Sequence, residues 1–451
     1  MKSEQQYIDL YHQCRSMIDV HAAPVLNAVR EKAFTDFVKS GFPARKLEKY
    51  KYTDIGKLFE PNYGLNLTQI PAKVNPYDVF SGDVPNMSTS PYFIVNDTFH
   101  APSATGKNHL PEGVLVGSLR EIAKKYPELT EKYYGRLADT ESDGITAFNT
   151  AFVQDGFMVY VPKGVSVEKP VQLINLLCAE KEMLANRRIL IVLEEQAHAK
   201  ILTCDHALTN ALFLATQVIE VFVGRGASLD FCELEETHRQ NRRLSHLYVE
   251  QEAGSCVLIN GITLTGGVTR NTTHVRLAGE RAELSLYGMA IEDGEQIVDN
   301  NTFVDHAAPH CVSNQLYKYV LDEKAVGAYA GLVLVEKGAH HTSSKQTNRS
   351  LCATRETRMY AQPQLEIYND DVKCSHGATV GQLDENALFY MRQRGISLQE
   401  ARLLLMFAFV GEVVDNIRID GLKERLHQLV ELRFRGELNK GCEGCDICRK
   451  V

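Results

Sequence analysis

From Gly156 to about Gly381 the chain repeats itself. The segments "EEQAHAKIL", "VGRGASLDF", "QEAGSCVLI" and "AGERAELSL" share one shape, a small or charged turn followed by an alternating strand. Aligned on Ala197, Gly226, Gly254 and Arg281, they recur at spacings of 29, 28 and 27 residues. Units of this size cannot bury an apolar face alone and must stack on their neighbours. The period therefore predicts stacked β-coils, a solenoid. An ordinary antiparallel sandwich with chance turn similarity is the competing reading.

The flanks follow a different grammar. Tyr7, Leu10, Tyr11, Cys14, Met17 and Ile18 keep a helical period, as do Val25, Leu26, Val29, Ala33, Phe34, Phe37 and Val38 before Gly41 and Pro43. Residues 60–110 are rich in Pro, Asn and Gly and read as irregular, and 118–152 read as short helices broken at Pro127. After Leu383 the pattern turns helical again. Asp384 reads as an N-cap, Gly395 as a stop, and Ser397 with Glu400 as a capping box. The expected organisation is a mostly helical N-terminal region (1–155), a β-core (156–382), a C-terminal helical subdomain (383–440) and a flexible Cys-rich tail (441–451).

Charge and motifs narrow the function. A net charge of −8 and a pI near 6.0 argue against a general nucleic-acid binder. The polar start "MKSEQQYIDLYHQ" lacks a signal or transit pattern, and the longest apolar run, Leu403 to Val410, is too short to span a bilayer. Eleven cysteines, irregularly spaced except at the end, read as free thiols of a cytoplasmic protein. There is no G-x-x-x-x-G-K-[ST], no G-x-G-x-x-G at a strand–helix junction, no G-x-S-x-G and no H-E-x-x-H. Trp is absent, which weakens a carbohydrate-active β-helix reading.

Three places could carry chemistry or docking. In "DDVKCSHGATVGQ", strand alternation points Val372, Cys374 and His376 to one side. Cys374 and His376 are half of a site for a soft or borderline metal, or a buried thiol beside a histidine satisfied by backbone. His306, His310, Cys311, His340 and His341 lie in the same β-region, where stacked coils could gather them. The run Leu403–Val410 is apolar around the whole helix, so it is either a central bundle helix or a docking helix completed by another protein. Cys442, Cys445 and Cys448 form C-x₂-C-x₂-C, which matches ferredoxin spacing except for its fourth ligand, so a metal or cluster there needs a ligand from elsewhere.

"LEIYNDDVKCSHGATVGQLDENALFYMRQRGIS", "HTSSKQTNRSL" and "FPARKLEKYKYTDIGKLF" together resemble the SufB/SufD family of the SUF iron–sulfur cluster assembly machinery. Tyr50 stands where the family usually has Trp, and Cys-Ser-His-Gly-Ala-Thr favours the SufD branch over the SufB branch. The resemblance implies a right-handed parallel β-helix core in a mainly β chain. It implies a non-catalytic scaffold that pairs with a SufB-like paralogue and docks a SufC-like ABC-type ATPase through the C-terminal helices, around Leu403, Leu404, Phe407 and Phe409. It implies a transient Fe–S cluster at the paralogue interface, with His376 as the ligand and Cys374 beside it. It says nothing of the Cys-rich tail, and it leaves open a flavin in the complex and a homodimer of the isolated chain. The rival reading is a stand-alone metal-dependent β-helix lyase or hydrolase. Such an enzyme needs acid, base and binding groups within one chain, and none can be assembled from this sequence.

Overall fold

The computed structural model describes residues 3–70, 74–79, 89–101 and 110–438. Its centre is a parallel β-solenoid of about eight turns. Each coil gives one strand to each of two ten-stranded sheets, so odd and even strands separate into opposite walls. Successive coils pair in parallel, as Val312–Leu321 does with Thr342–Cys352 and that strand with Val372–Gly381. The alternating strands thus belong to a solenoid and not to an antiparallel sandwich.

The faint repeat has a backbone cause. Gln196, Gly226, Gly254, Arg281, His310 and His341 occupy one corner, each left-handed with φ between +57° and +66°. Each donates its N–H to a carbonyl of the next coil, at 2.7–3.1 Å. Glycine takes that conformation without strain, which is why Gly226 and Gly254 mark it in the sequence. The first of the four aligned corners is Gln196 rather than Ala197, a one-residue correction to the alignment. No glycine marks that position.

Inward side chains are mainly aliphatic, for example Ile189, Ile191, Ile201, Ile219, Val221 and Phe231, all essentially sealed from water. Both outer walls are covered. The helices Ser3–Val20, Pro24–Ser40 and Gly144–Phe152 pack on the wall that contains Leu184, Leu214 and Leu244. The helices Leu398–Val414 and Leu422–Phe434 pack on the opposite wall, against Leu234, Leu258, Ile262, Met289 and Val320. Arg433 fastens the second helix by donating to the carbonyls of Leu264 and Ile291 and to Asp293.

The segment around Tyr50 straps across several coils. Arg270 stacks on the Tyr50 ring at 4.1 Å, the Thr53 hydroxyl donates to Asp299 at 2.7 Å, and Tyr52 stacks on Tyr360 at 4.2 Å. Tyr50 donates to Asp143, which also faces His246 at 3.4 Å. Burial alone would raise the Asp143 carboxyl, but the neighbouring His246, Lys49 and Tyr50 outweigh it and hold it well below the usual carboxylate range.

The stretch expected to be irregular holds structure. Ser90–Val95 pairs in parallel with Ser166–Leu177, and Thr98–His100 adds antiparallel to it. These strands are short and interrupted by Pro91 and Asn96, too brief to show a period. The helical stops do form: Gly41 and Gly395 have positive φ, Asp384 accepts from the N–H groups of Asn386 and Ala387, and Ser397 accepts from that of Glu400. Among the described residues no helix is long and apolar enough to cross a membrane.

Candidate functional site

The two ends of the solenoid differ. At the start, Leu115–Ser118 pairs antiparallel with Phe157–Val161 and closes that wall. At the other end, Arg358–Ile367 and Val372–Gly381 are the last strands of the two walls, each paired on one side only. Both edges are open at the same end, and their residues are half-buried or exposed. Ile367, Tyr368 and Val380, near the ends of these strands, and Phe389 and Tyr390, in the helix that follows, are exposed.

The register shows where Cys374 and His376 sit. One inward column runs Val171, Ile201, Phe231, Ile259 and Leu286, then Gln315 and Gln346, and ends at His376. The neighbouring column has Val257 and Leu284, then Ser313 and Ser344, and ends at Cys374. Along these two columns the lumen changes from aliphatic to polar over the last coils, and the two candidate ligands are the outermost members. Val372 and Cys374 pack against the core, which fixes the inward face of the strand; His376, on the same face, is exposed because no further coil covers it.

Electrostatics separate the pair. Burial pushes the Cys374 thiol up, while the backbone N–H of Ser344 pulls it the other way, so the uncovered end holds a protonated thiol at neutral pH. Only the thiolate is a good metal ligand. Neutral imidazole is itself a metal ligand, which makes His376 the readier donor of the two. Among the described residues no three His, Cys, Asp or Glu side chains are grouped to hold a metal ion. A site built on this pair needs donors from beyond the described residues.

The other histidines are partly gathered. His310 and His341 stack at 4.6 Å on the left-handed corner, and His341 faces Asp371 at 3.0 Å. His306 is buried in the lumen, where it shares a hydrogen bond with Ser313 (2.9 Å), and Ser313 shares one with Ser344 (2.8 Å). Burial lowers its pKa to about 4, so it is neutral. Cys311 is buried, with its thiol donating to the Gly279 carbonyl.

The expected docking helix is Leu398–Val414. Leu403, expected among the docking residues, is buried at 7 % exposure within this chain and lies on the helix's inner side. Leu404 is exposed at 40 %. Phe407 and Phe409 are half-buried, Phe407 near the His427 ring (5.4 Å) and Phe409 beneath the Lys318 ammonium (4.7 Å). The apolar run is thus divided: one side covers the solenoid wall, and Leu404 and Ala408 face water. Cys442, Cys445 and Cys448 lie outside the described residues.

The lumen residues Gln315, Gln346, Asn348, Ser313 and Ser344 were missed in the sequence. A glutamine or serine in a strand reads as solvent-facing, and only the coil register turns these inward.

The protein class follows from comparison with known families. A model described as "SUF system FeS cluster assembly, SufBD core domain" matches residues 176–409, and "SufBD protein N-terminal region" matches residues 1–173. The chain belongs to the SufBD family of the SUF system. Among its relatives, the iron–sulfur cluster assembly protein SufD of Escherichia coli is 25% identical over 402 residues, covering 88% of this chain and 91% of that protein. SufD of Bacillus subtilis is 28% identical over 335 residues, with 72% and 75% covered. A SufBD family protein of Synechocystis is 27% identical over 403 residues, covering 87% of each.

Proposed function

We propose that this chain is a SufD-type, non-catalytic scaffold subunit of the SUF machinery. It pairs through its open solenoid end with a SufB-type paralogue and docks an ABC-type ATPase on its C-terminal helices. The observation that carries the reading is the open end itself: two unpaired ten-residue edges with His376 and Cys374 at the rim of the lumen. Unpaired edges are templates for strand pairing, and natural proteins cover them. A paralogue that stacks there would continue both walls and supply the missing donors to a nascent cluster. The cluster is cargo, built on His376 and then passed on; Cys374 becomes a ligand only once it loses its proton.

The test is anaerobic co-expression with the paralogue and the ATPase, followed by iron and sulfide analysis. His376→Ala should leave the complex assembled and sharply lower both; Cys374→Ala should do less. Wild-type iron and sulfide in the His376→Ala complex would remove the site. For the ATPase, Leu404→Asp and Phe407→Asp should abolish co-purification with the circular dichroism unchanged. An ATPase retained after deletion from Asp384 onward would refute the docking assignment.

A further inference from the structure

The polar side chains that fill the last coils of the lumen are not needed to pair two solenoids. Gln315, Gln346 and Asn348 are at most 1 % exposed, yet none of their amide nitrogens makes a hydrogen bond of ordinary length and angle. A buried donor without a partner costs about 1–3 kcal/mol. Three such donors in neighbouring places point to something that the chain itself does not supply.

Their placement is specific. Gln315 and Gln346 are successive members of the column capped by His376, about 4.8 Å apart as strand neighbours. Asn348 lies two residues along the same strand, on the same face. Across the lumen stands Gly331. A Cβ at that position would come within 2.3 Å of Gln346 Nε2, 2.6 Å of Tyr329 Oη and 2.9 Å of Thr302 Oγ1. Glycine there lets the Gln346 amide and the Tyr329 and Thr302 hydroxyls close on the backbone, with the Thr302 hydroxyl donating to Gln315 Oε1 at 3.2 Å.

The charge around this spot selects the ligand. The strands Val312–Leu321, Val326–Val335 and Thr342–Cys352 contain no Asp or Glu. The lumen carboxyls Glu233 and Glu235 stand in an earlier coil, four places back along the columns. A cation would have no countercharge among these donors. An anion would meet amide N–H groups and the Tyr329 hydroxyl, with the His376 imidazole at the rim.

We propose that Gln315, Gln346 and Asn348, with Tyr329, bind a small, singly charged anion of the size of chloride or hydrosulfide directly behind His376. Hydrosulfide as the natural occupant rests on the cluster-assembly reading; the anion site itself does not. The test is crystallography of the full chain with sodium bromide as the only halide. An anomalous bromine peak is expected beside the Gln346 and Asn348 amides, and it should be lost in Gln346→Met and in Gly331→Ala. Only waters in the wild-type lumen, or a peak that persists in a folded variant, would overturn the site. Anaerobic soaking with sodium hydrosulfide separates the two sources: loss of the bromine signal marks hydrosulfide, and its retention marks a halide site. Bromide is read on the chain alone and iron on the complex, so either idea can fail without the other.

Discussion

The two ends of one solenoid are built to opposite purposes. At the N-terminal end, the buried Arg188–Glu220 pair (2.5 Å) is locked further when Glu220 accepts the backbone N–H groups of Gly135, Leu137 and Ala138. Here charge is spent on fastening a cap. At the C-terminal end the walls stop with no cap among the described residues, and the rim presents neutral amides and the His376 imidazole. Repeat proteins need capped ends to stay soluble, so an end without a cap is a surface awaiting a partner. The same coil geometry is thus fastened at one end and left open at the other, where the proposed paralogue would stack.

The largest effect should come from the capped end. Glu220→Ala strands the Arg188 guanidinium in the interior and should cost about 3–5 kcal/mol, read as a shift of the guanidinium midpoint by far-UV circular dichroism. An equal loss from any single substitution in Val372–Gly381 would erase the contrast.

The middle of the lumen offers a pH test. Burial pushes the Glu235 carboxyl up to about 7, against the pull of Arg243. The folded state therefore holds this proton more tightly than the unfolded chain does. The associated stability is present below the unfolded range near about 4.3 and is lost as pH rises through about 7. Glu235→Gln, which cannot ionise, should flatten that slope by about 1–3 kcal/mol in urea titrations between pH 5 and 7. An unchanged slope would mean that the lumen is open to water well before its last coils.

Smaller still is the corner. Arg281→Gly should raise stability by about 1 kcal/mol, because glycine takes the left-handed conformation without steric cost. Gln196→Gly and His341→Gly should gain similarly in thermal melts if the coils themselves are equivalent and only the ends differ. Smallest is His376→Ala, expected to change the stability of the isolated chain by less than about 0.5 kcal/mol, since the ring is exposed. On the proposed function, its effect belongs to the assembled complex.

The solenoid was legible because Gly226 and Gly254 must be left-handed, and glycine advertises that need. The helix ends were legible from Asp384, Ser397 and Gly395, whose roles are local. The Ser90–His100 hairpin was not, because its pairing partner, Ser166–Leu177, lies far along the chain. At the candidate site, alternation placed Cys374 and His376 on one face, and the family resemblance singled them out. Neither revealed Gln346 behind His376, because register between coils is a property of stacking. The same limit applies to Leu403, whose apolar run reads identically on the covered and uncovered sides of a helix.

The left-handed corner has a use beyond holding the coils. It sets Gln196, Gly226, Gly254, Arg281, His310 and His341 along one edge, a single strand spacing of about 4.8 Å apart. That edge is a graduated scale. Probes attached at Gln196 and His341 would stand five divisions apart, roughly 24 Å. A molecule arriving at the open end could then be located by counting marks, with the protein serving as its own ruler.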